Sequence, residues 1–349
     1  MQLKGGLVGM YESIAQKLKG KEYDFLKTTE GLGENITLLT VGGSYAYGTN
    51  VPTSDIDIRG IALNTRKEIL TMKYREKPYE NKSTDTVIYT LKQIVSLLAN
   101  ANPNALEILG TREDHLFVIT EQGRLLRENV NLFLSKKVFH SFGGYATAQL
   151  RRLQNALARG NYPQAKKEEH ILNSLLNQMA TFADRYEDFP EGSIKLYIDK
   201  SKKEDYEAEI FMDISLKHYP LRDFKNIYSE MSGVIRDYDA LNHRNKKKDD
   251  ANLNKHAMHL IRLLIMGTEI LEGKGVNTYR ENDREFLLKI RNGDYVREKN
   301  GVKDYSLIFE MVDEYENKFK YAAENTSLPD KPDYDAIDEL VTEINMSVL

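Results

Sequence analysis

The segment Gly42-Gly43-Ser44-Tyr45-Ala46-Tyr47-Gly48, followed by Ser54-Asp55-Ile56-Asp57-Ile58-Arg59-Gly60, organises the reading of the whole chain. Just upstream, Ile36-Thr37-Leu38-Leu39-Thr40-Val41 is a β-rich run that stops at two glycines. Such a run, bounded by glycine, reads as a strand. Ser44 to Tyr47 reads as the first turn of a helix entered from it, and Asn50 with Pro52 marks a loop. Asp55 to Leu63 then reads as a second strand. On a strand, residues i and i+2 face the same way. Asp55 and Asp57 would share one face while Ile56 and Ile58 pack behind them. Two carboxylates forced together are costly unless a cation joins them. Hard oxygen ligands suit Mg2+, and a Gly-Ser turn offers backbone N–H groups to phosphate.

A third carboxylate would complete such a set. Thr84 to Thr90 reads as a third strand, with Val87, Ile88 and Tyr89 supplying β propensity. Asp85 stands at its start and is the best-placed candidate; Glu80 and Glu107 are its rivals. Around these strands the pattern is helical. Leu7 to Leu18 has one apolar stripe, Thr65 caps a short helix with Glu68 as its capping-box partner, and Leu91 to Ala99 follows the third strand. Asn102-Pro103-Asn104 breaks that helix before 105–109 resumes.

Beyond residue 118 the chain reads as mostly helical, with candidate helices over 120–128, 136–158, 164–186, 221–242, 253–272, 283–290, 307–321 and 334–346. One departure is a pair of β-like runs, Ser193–Ile198 and Glu209–Leu216, flanking a charged connection. The expected architecture is α+β: a core over 1–118, built from a short mixed sheet with helices, then a helical domain over 119–349 with a β-hairpin inserted near 193–216. Asn242 to Asp250 reads as a charged linker, and Lys246-Lys247-Lys248 within it as solvated, because Asp249 and Asp250 follow.

Composition narrows the function. The 349 residues suffice for two domains. With no cysteine there is no disulfide, zinc thiolate or thiol nucleophile. The N-terminus carries no long apolar segment, and no run approaches a membrane span, so the expectation is a cytoplasmic protein without a membrane partner. The formal net charge of −4 gives no general attraction to nucleic acid, so such a partner requires a local basic patch.

Two cationic patches qualify. In Lys255-His256-Ala257-Met258-His259-Leu260-Ile261-Arg262, the residues Lys255, His259 and Arg262 fall at i, i+4 and i+7 of one helix. That face suits a triphosphate or an RNA backbone; equally, it reads as a solvated face with a histidine packed between helices. Gln149, Arg151 and Arg152 form a second patch that suits a nucleobase or phosphate, or is plain helix surface.

Taken together, Gly43-Ser44 with Asp55-x-Asp57 resembles the DNA polymerase beta-like nucleotidyltransferase superfamily. Within it, the chain is similar to a bacterial and phage branch associated with RNA repair. The likeness extends to Asp85 before a β-run, Asn102-Pro103-Asn104-Ala105-Leu106-Glu107, Gly144-Tyr145 through Gln149-Leu150, and the Lys255–Leu264 stretch. It implies an enzyme that moves a nucleoside monophosphate from an NTP, ATP among them, to an acceptor hydroxyl, with two Mg2+ or Mn2+ ions. Asp55, Asp57 and Asp85 would be the catalytic metal ligands. Gly43 and Ser44 would hold the triphosphate, with Lys255, His259 and Arg262 as further nucleotide-site residues. The implied acceptor is an RNA end of tRNA-like type. A protein or small molecule is the rival acceptor, and a nucleotide-binding partner protein without catalysis is the rival class.

Overall fold

The computed structural model describes residues 4–72, 75–160, 194–200, 208–221, 224–225, 228, 231–232, 250–299 and 302–349. The chain forms two compact units: Met1–Leu150 with Asn254–Leu349, and Arg151–Leu253.

The first unit is built on a five-stranded mixed sheet of order β3-β4-β2-β1-β5, with β1 Ile36–Val41, β2 Ile58–Ala62, β3 Tyr79–Asn81, β4 Thr86–Thr90 and β5 Leu116–Ile119. β2 and β4 run parallel, in register Ile58↔Thr86 and Arg59↔Val87; the other neighbours are antiparallel. All of β1 is buried. That is what the apolar run Ile36–Val41 requires of a strand with a neighbour on each side.

One sheet face carries Leu39, Val41, Ile58, Ala62 and Ile88, and Tyr11 and Ile14 of the first helix pack in the same core. The helix Leu91–Ala99 packs against β2 and β4 and buries Leu91, Ile94 and Leu98. Local chemistry fixes the helix starts. Thr65 and Glu68 form the expected capping box, Thr90 and Gln93 form another, and Asn102 caps the helix that opens with Pro103.

The strand expected over 55–63 is shorter than its sequence pattern. β2 begins at Ile58, so Asp55 and Asp57 lie in the extended lead-in rather than in the strand. The alternation of Ile56 and Ile58 extends the apolar pattern past the last paired residue. The third strand likewise starts at Thr86, leaving Asp85 in the turn before it. β3 and β5 were not in the sequence expectation. Both are short edge strands, three and four residues long; β3 is Tyr79-Glu80-Asn81, with little apolar signal, whereas Leu116-Phe117-Val118-Ile119 of β5 is a continuous apolar run whose signal was available.

The remaining helices of this unit include Glu121–Glu128, Arg284–Asn292, Ser306–Asn325 and Tyr334–Met346. Helices Lys137–Gly160 and Asp250–Leu271 also match their expected spans to within a few residues. In the second unit, β6 Ile194–Lys200 and β7 Ala208–Ile214 form an antiparallel hairpin, registered Ile194↔Ile214 through Lys200↔Ala208. The architecture is therefore mixed α+β. The helix expected over 164–186, most of that over 221–242, and Lys246–Lys248 fall outside the described residues.

Candidate active site

The glycine turn and the acidic lead-in are stitched together by the backbone. Gly42 N–H donates to the Asp57 carbonyl at 2.8 Å, one step beyond the last pair of β1 and β2. The chain then turns into the short helix Gly43–Tyr47, in which Ser44 is buried, and leaves it through Gly48 in a left-handed conformation. Gly43 is favoured here on two counts. Its φ is +54°, and a Cβ on it would stand 2.0 Å from Asp57 Oδ2. The Asp57 carboxylate thus lies directly against the turn.

Because Ile58 pairs with Thr86, the residues before them, Asp57 and Asp85, are brought side by side. Ile58 N–H donates to the Asp85 carbonyl at 3.1 Å. Asp85 itself has φ +44°, a costly conformation for a residue with a side chain. Arg59 clamps the pair: Nη2 lies 3.1 Å from both Asp57 Oδ1 and Asp85 Oδ1, and Nη1 donates to the Asp85 carbonyl at 2.5 Å. Burial pushes the Asp57 carboxyl up to about 6; Arg59 opposes this, and a hydrogen bond with the Asp85 carboxyl adds to it. Asp55 is exposed.

This arrangement bears on metal binding. Two neighbouring carboxylates, held together by one arginine, are a hard-oxygen donor set whose repulsion a divalent cation relieves, so the chemistry of the donors fits Mg2+ or Mn2+. Among the described residues no group of three or more acidic or histidine side chains converges as a metal cluster. The fit therefore rests on Asp57 and Asp85.

A cavity of about 240 Å³ opens beside the pair, lined by Gly42, Gly43, Tyr47, Asp57, Arg59 and Glu107 among others. Its inner wall is a buried network. Tyr47 Oη donates to Glu107 Oε2 at 2.5 Å, Arg262 Nη1 lies 2.5 Å from Glu107 Oε1, and the Arg262 guanidinium stacks 3.7 Å over the Tyr47 ring. Burial raises the Tyr47 phenol well above its ordinary range. Glu107, a rival for the third carboxylate, is thus joined to Arg262. Glu80 lies exposed on β3.

The Lys255–His259–Arg262 face divides in the structure. Arg262 is buried in the Glu107 pair. His259 meets the Tyr47 ring edge-on at 6.2 Å, and burial, with the charges of Arg262 and Lys255, drives its imidazole strongly toward the neutral form. Lys255 is exposed, and its charge reaches Asp57. Gln149 Oε1 lies 3.0 Å from His256 Nδ1, while Arg151 and Arg152 are exposed.

Sequence reasoning gave Arg59 no role, although its offset of two from Asp57 on extended backbone was the available signal. It also missed the arginines that brace the loop between the turn and the acids. Arg284 Nε donates to the Gly48 carbonyl at 2.6 Å. Arg291 Nη1 donates to the Thr49 carbonyl at 2.6 Å and Nη2 to Ser54 Oγ at 3.1 Å. The two cations are seven apart on the helix Arg284–Asn292 and so share a face.

A short mixed sheet that presents acidic side chains beside a Gly-Gly-Ser turn defines a polymerase beta-like nucleotidyltransferase, an enzyme class. The chain belongs to the RNA repair pathway DNA polymerase beta family, whose model matches residues 11–190. No curated protein and no solved structure matches it. Among the described residues no helix is long and apolar enough to cross a membrane.

Proposed function

We propose that this enzyme transfers a nucleoside monophosphate from an NTP to the hydroxyl of an RNA end and releases pyrophosphate. The observation that carries this reading is the Asp57 carboxylate against the Gly42-Gly43 turn, with Asp85 set beside it by the strand register and held to it through Arg59. Asp55, Asp57 and Asp85 are the residues to hold two Mg2+ or Mn2+ ions, which when bound neutralise phosphate charge and lower the pKa of the attacking hydroxyl. Gly43 and Ser44 present backbone N–H groups to the triphosphate. Arg59 keeps the two acids together, and Lys255 adds positive charge at the rim. His259, held neutral, orients by packing rather than by charge. Arg262 and Glu107 fix Tyr47 behind the turn.

The family description supports an RNA acceptor. The net charge of −4 favours a second reading, in which the acceptor is a protein or small molecule. Incubation with each α-phosphate-labelled NTP, Mg2+ or Mn2+, and total cellular RNA and protein separates them. Label should enter RNA and pyrophosphate should be released, and Asp57→Asn should lower both by roughly two orders of magnitude or more. Label on protein would transfer the reading to the second acceptor class. Normal pyrophosphate release by Asp57→Asn would overturn the mechanism.

A further inference from the structure

A second cavity, of about 530 Å³, adjoins the first, and Tyr89 and Asn104 line both. Val87 is level with Arg59 in the β2–β4 register, and Tyr89 is the next residue on the same face. Tyr89 lies three residues along β4 from Thr86, the residue after Asp85, about 10 Å at strand rise. The face that holds the acidic pair therefore runs on into this groove. Arg75 and Lys92 line it as cations, Asn102 and Asn104 as amides, and Tyr89 and Tyr145 as aromatics.

These side chains are positioned rather than merely near. Asn102 Oδ1 accepts from Ala105 N–H, while its Nδ2 donates to Tyr145 Oη at 3.0 Å, which fixes a ring that is 38% exposed. The Arg75 guanidinium stacks 3.9 Å over the Tyr79 ring. Tyr145 and Tyr89 are close enough for the charge of one to disfavour ionisation of the other. Asn104 is exposed at the junction of the two cavities. In a chain of net negative charge, this groove gathers two cations against one acid, Glu76. Cations tracking a backbone, with tyrosine faces for successive bases, are the chemistry of single-strand recognition.

We propose that this groove seats the last nucleotides of the single-stranded RNA acceptor and leads its terminal hydroxyl to the Asp57–Asp85 pair; the assignment rests on the nucleotidyl-transfer reading above. Tyr89 and Tyr145 stack the bases, Arg75 and Lys92 meet the phosphates, and Asn104 faces a base edge at the entrance to the catalytic cavity.

The test is fluorescence anisotropy with a short fluorescein-labelled single-stranded RNA carrying a free 3′ hydroxyl, beside a separate titration with a fluorescent NTP analogue. Tyr145→Ala and Tyr89→Ala should each weaken RNA binding roughly 5- to 150-fold; for Tyr145→Ala, whose side chain lines the groove and not the first cavity, the NTP affinity is the readout that stays. Tyr145→Phe, which retains the ring, should bind RNA nearly as the wild type does. Arg75→Gln should reduce the salt slope of RNA binding by about one. Far-UV circular dichroism checks that each variant is folded. RNA binding that withstands both alanine substitutions overturns the proposal, and so does a loss confined to NTP affinity, which would make the groove the donor-base pocket. Either result, obtained with Asp57-dependent NTP turnover intact, sinks this assignment alone. Absence of NTP turnover with every acceptor pool sinks the nucleotidyl-transfer reading, and this assignment with it.

Discussion

Replacing Arg262 separates a phosphate-binding cation from a buried structural one. The Arg262 and Glu107 side chains are only 5% and 9% exposed, and they meet at 2.5 Å. Glu107 also accepts from Tyr47, and Arg262 lies over the Tyr47 ring. Arg262→Met leaves the Glu107 carboxylate buried with a phenol as its remaining partner, and Glu107→Gln leaves a guanidinium without its counter-charge. Breaking a buried pair from one side costs about 3–5 kcal/mol, whereas replacing both partners by packed apolar groups is close to neutral. For a folded unit of this size, each kcal/mol shifts Tm by about 2–4 °C. Either single variant should therefore melt roughly 6–20 °C lower, and Arg262→Met with Glu107→Leu should recover most of the loss. Urea unfolding at constant m-value checks the energies. NTP titration, run well below the lowered melting point, completes the assay. An Arg262→Met protein that melts with the wild type but loses NTP affinity would refute the reasoning and return Arg262 to the phosphate.

The Asp57 carboxyl sits at about 6, against an ordinary value of 3.8, so the folded state holds this proton more tightly than the unfolded one. That contribution is complete below about pH 4 and is lost as pH rises through 6. Asp57→Asn should gain about 1–3 kcal/mol on the wild type across this window; thermal melts in EDTA from acidic to neutral pH measure it, and a gap between the two proteins that ignores pH contradicts it. Mg2+ should raise the wild-type Tm more above pH 6 than below it, since the ionised pair is the better ligand. Gly43→Ala must accommodate φ +54° and a methyl against Asp57 Oδ2; it should cost about 1–2 kcal/mol and displace the carboxylate, so full turnover by this variant argues against the Asp57 position. Arg291→Ala removes both side-chain bonds to the loop at Thr49 and Ser54, and should speed amide hydrogen exchange over 49–54 while leaving the sheet protected; unchanged exchange there would mean that the loop holds itself.

Much of the core could be read locally. Ile36–Val41 is a strand because six apolar and β-branched residues end at two glycines, and Thr65 starts a helix because Glu68 stands at the third helical position. The hairpin of β6 and β7 followed from two β-rich runs around a charged connection. The boundaries of β2 and β4 were less legible, because an apolar alternation does not reveal where a partner strand stops. β3 was missed because pairing with β4 makes it a strand and its own three residues do not, whereas the short apolar run Leu116–Ile119 of β5 was legible and was passed over. In the candidate site, Asp57 lies against Gly43 and beside Asp85, while Asp55, expected on the same face as Asp57, is exposed, and the cations expected on one helix face have different surroundings. Lys255, His259 and Arg262 lie on adjoining turns, yet Arg262 points to Glu107, more than 150 residues away in sequence.

The sequence by itself determined the local features of the candidate site. A glycine turn without Cβ atoms, two acids one residue apart and a strand-forming run behind them are local properties, and short-range sterics and periodicity are enough to reveal them. The tertiary structure alone decided how those groups are arranged and which cations serve them. The parallel register of β2 and β4 sets Asp85 beside Asp57. Arg59 clamps the pair, Arg262 is taken by a buried glutamate, and Arg284 and Arg291 reach back to the loop at Gly48 and Thr49. Charge pairing acts through space and depends on burial, so composition and spacing can name the cations but cannot assign their partners.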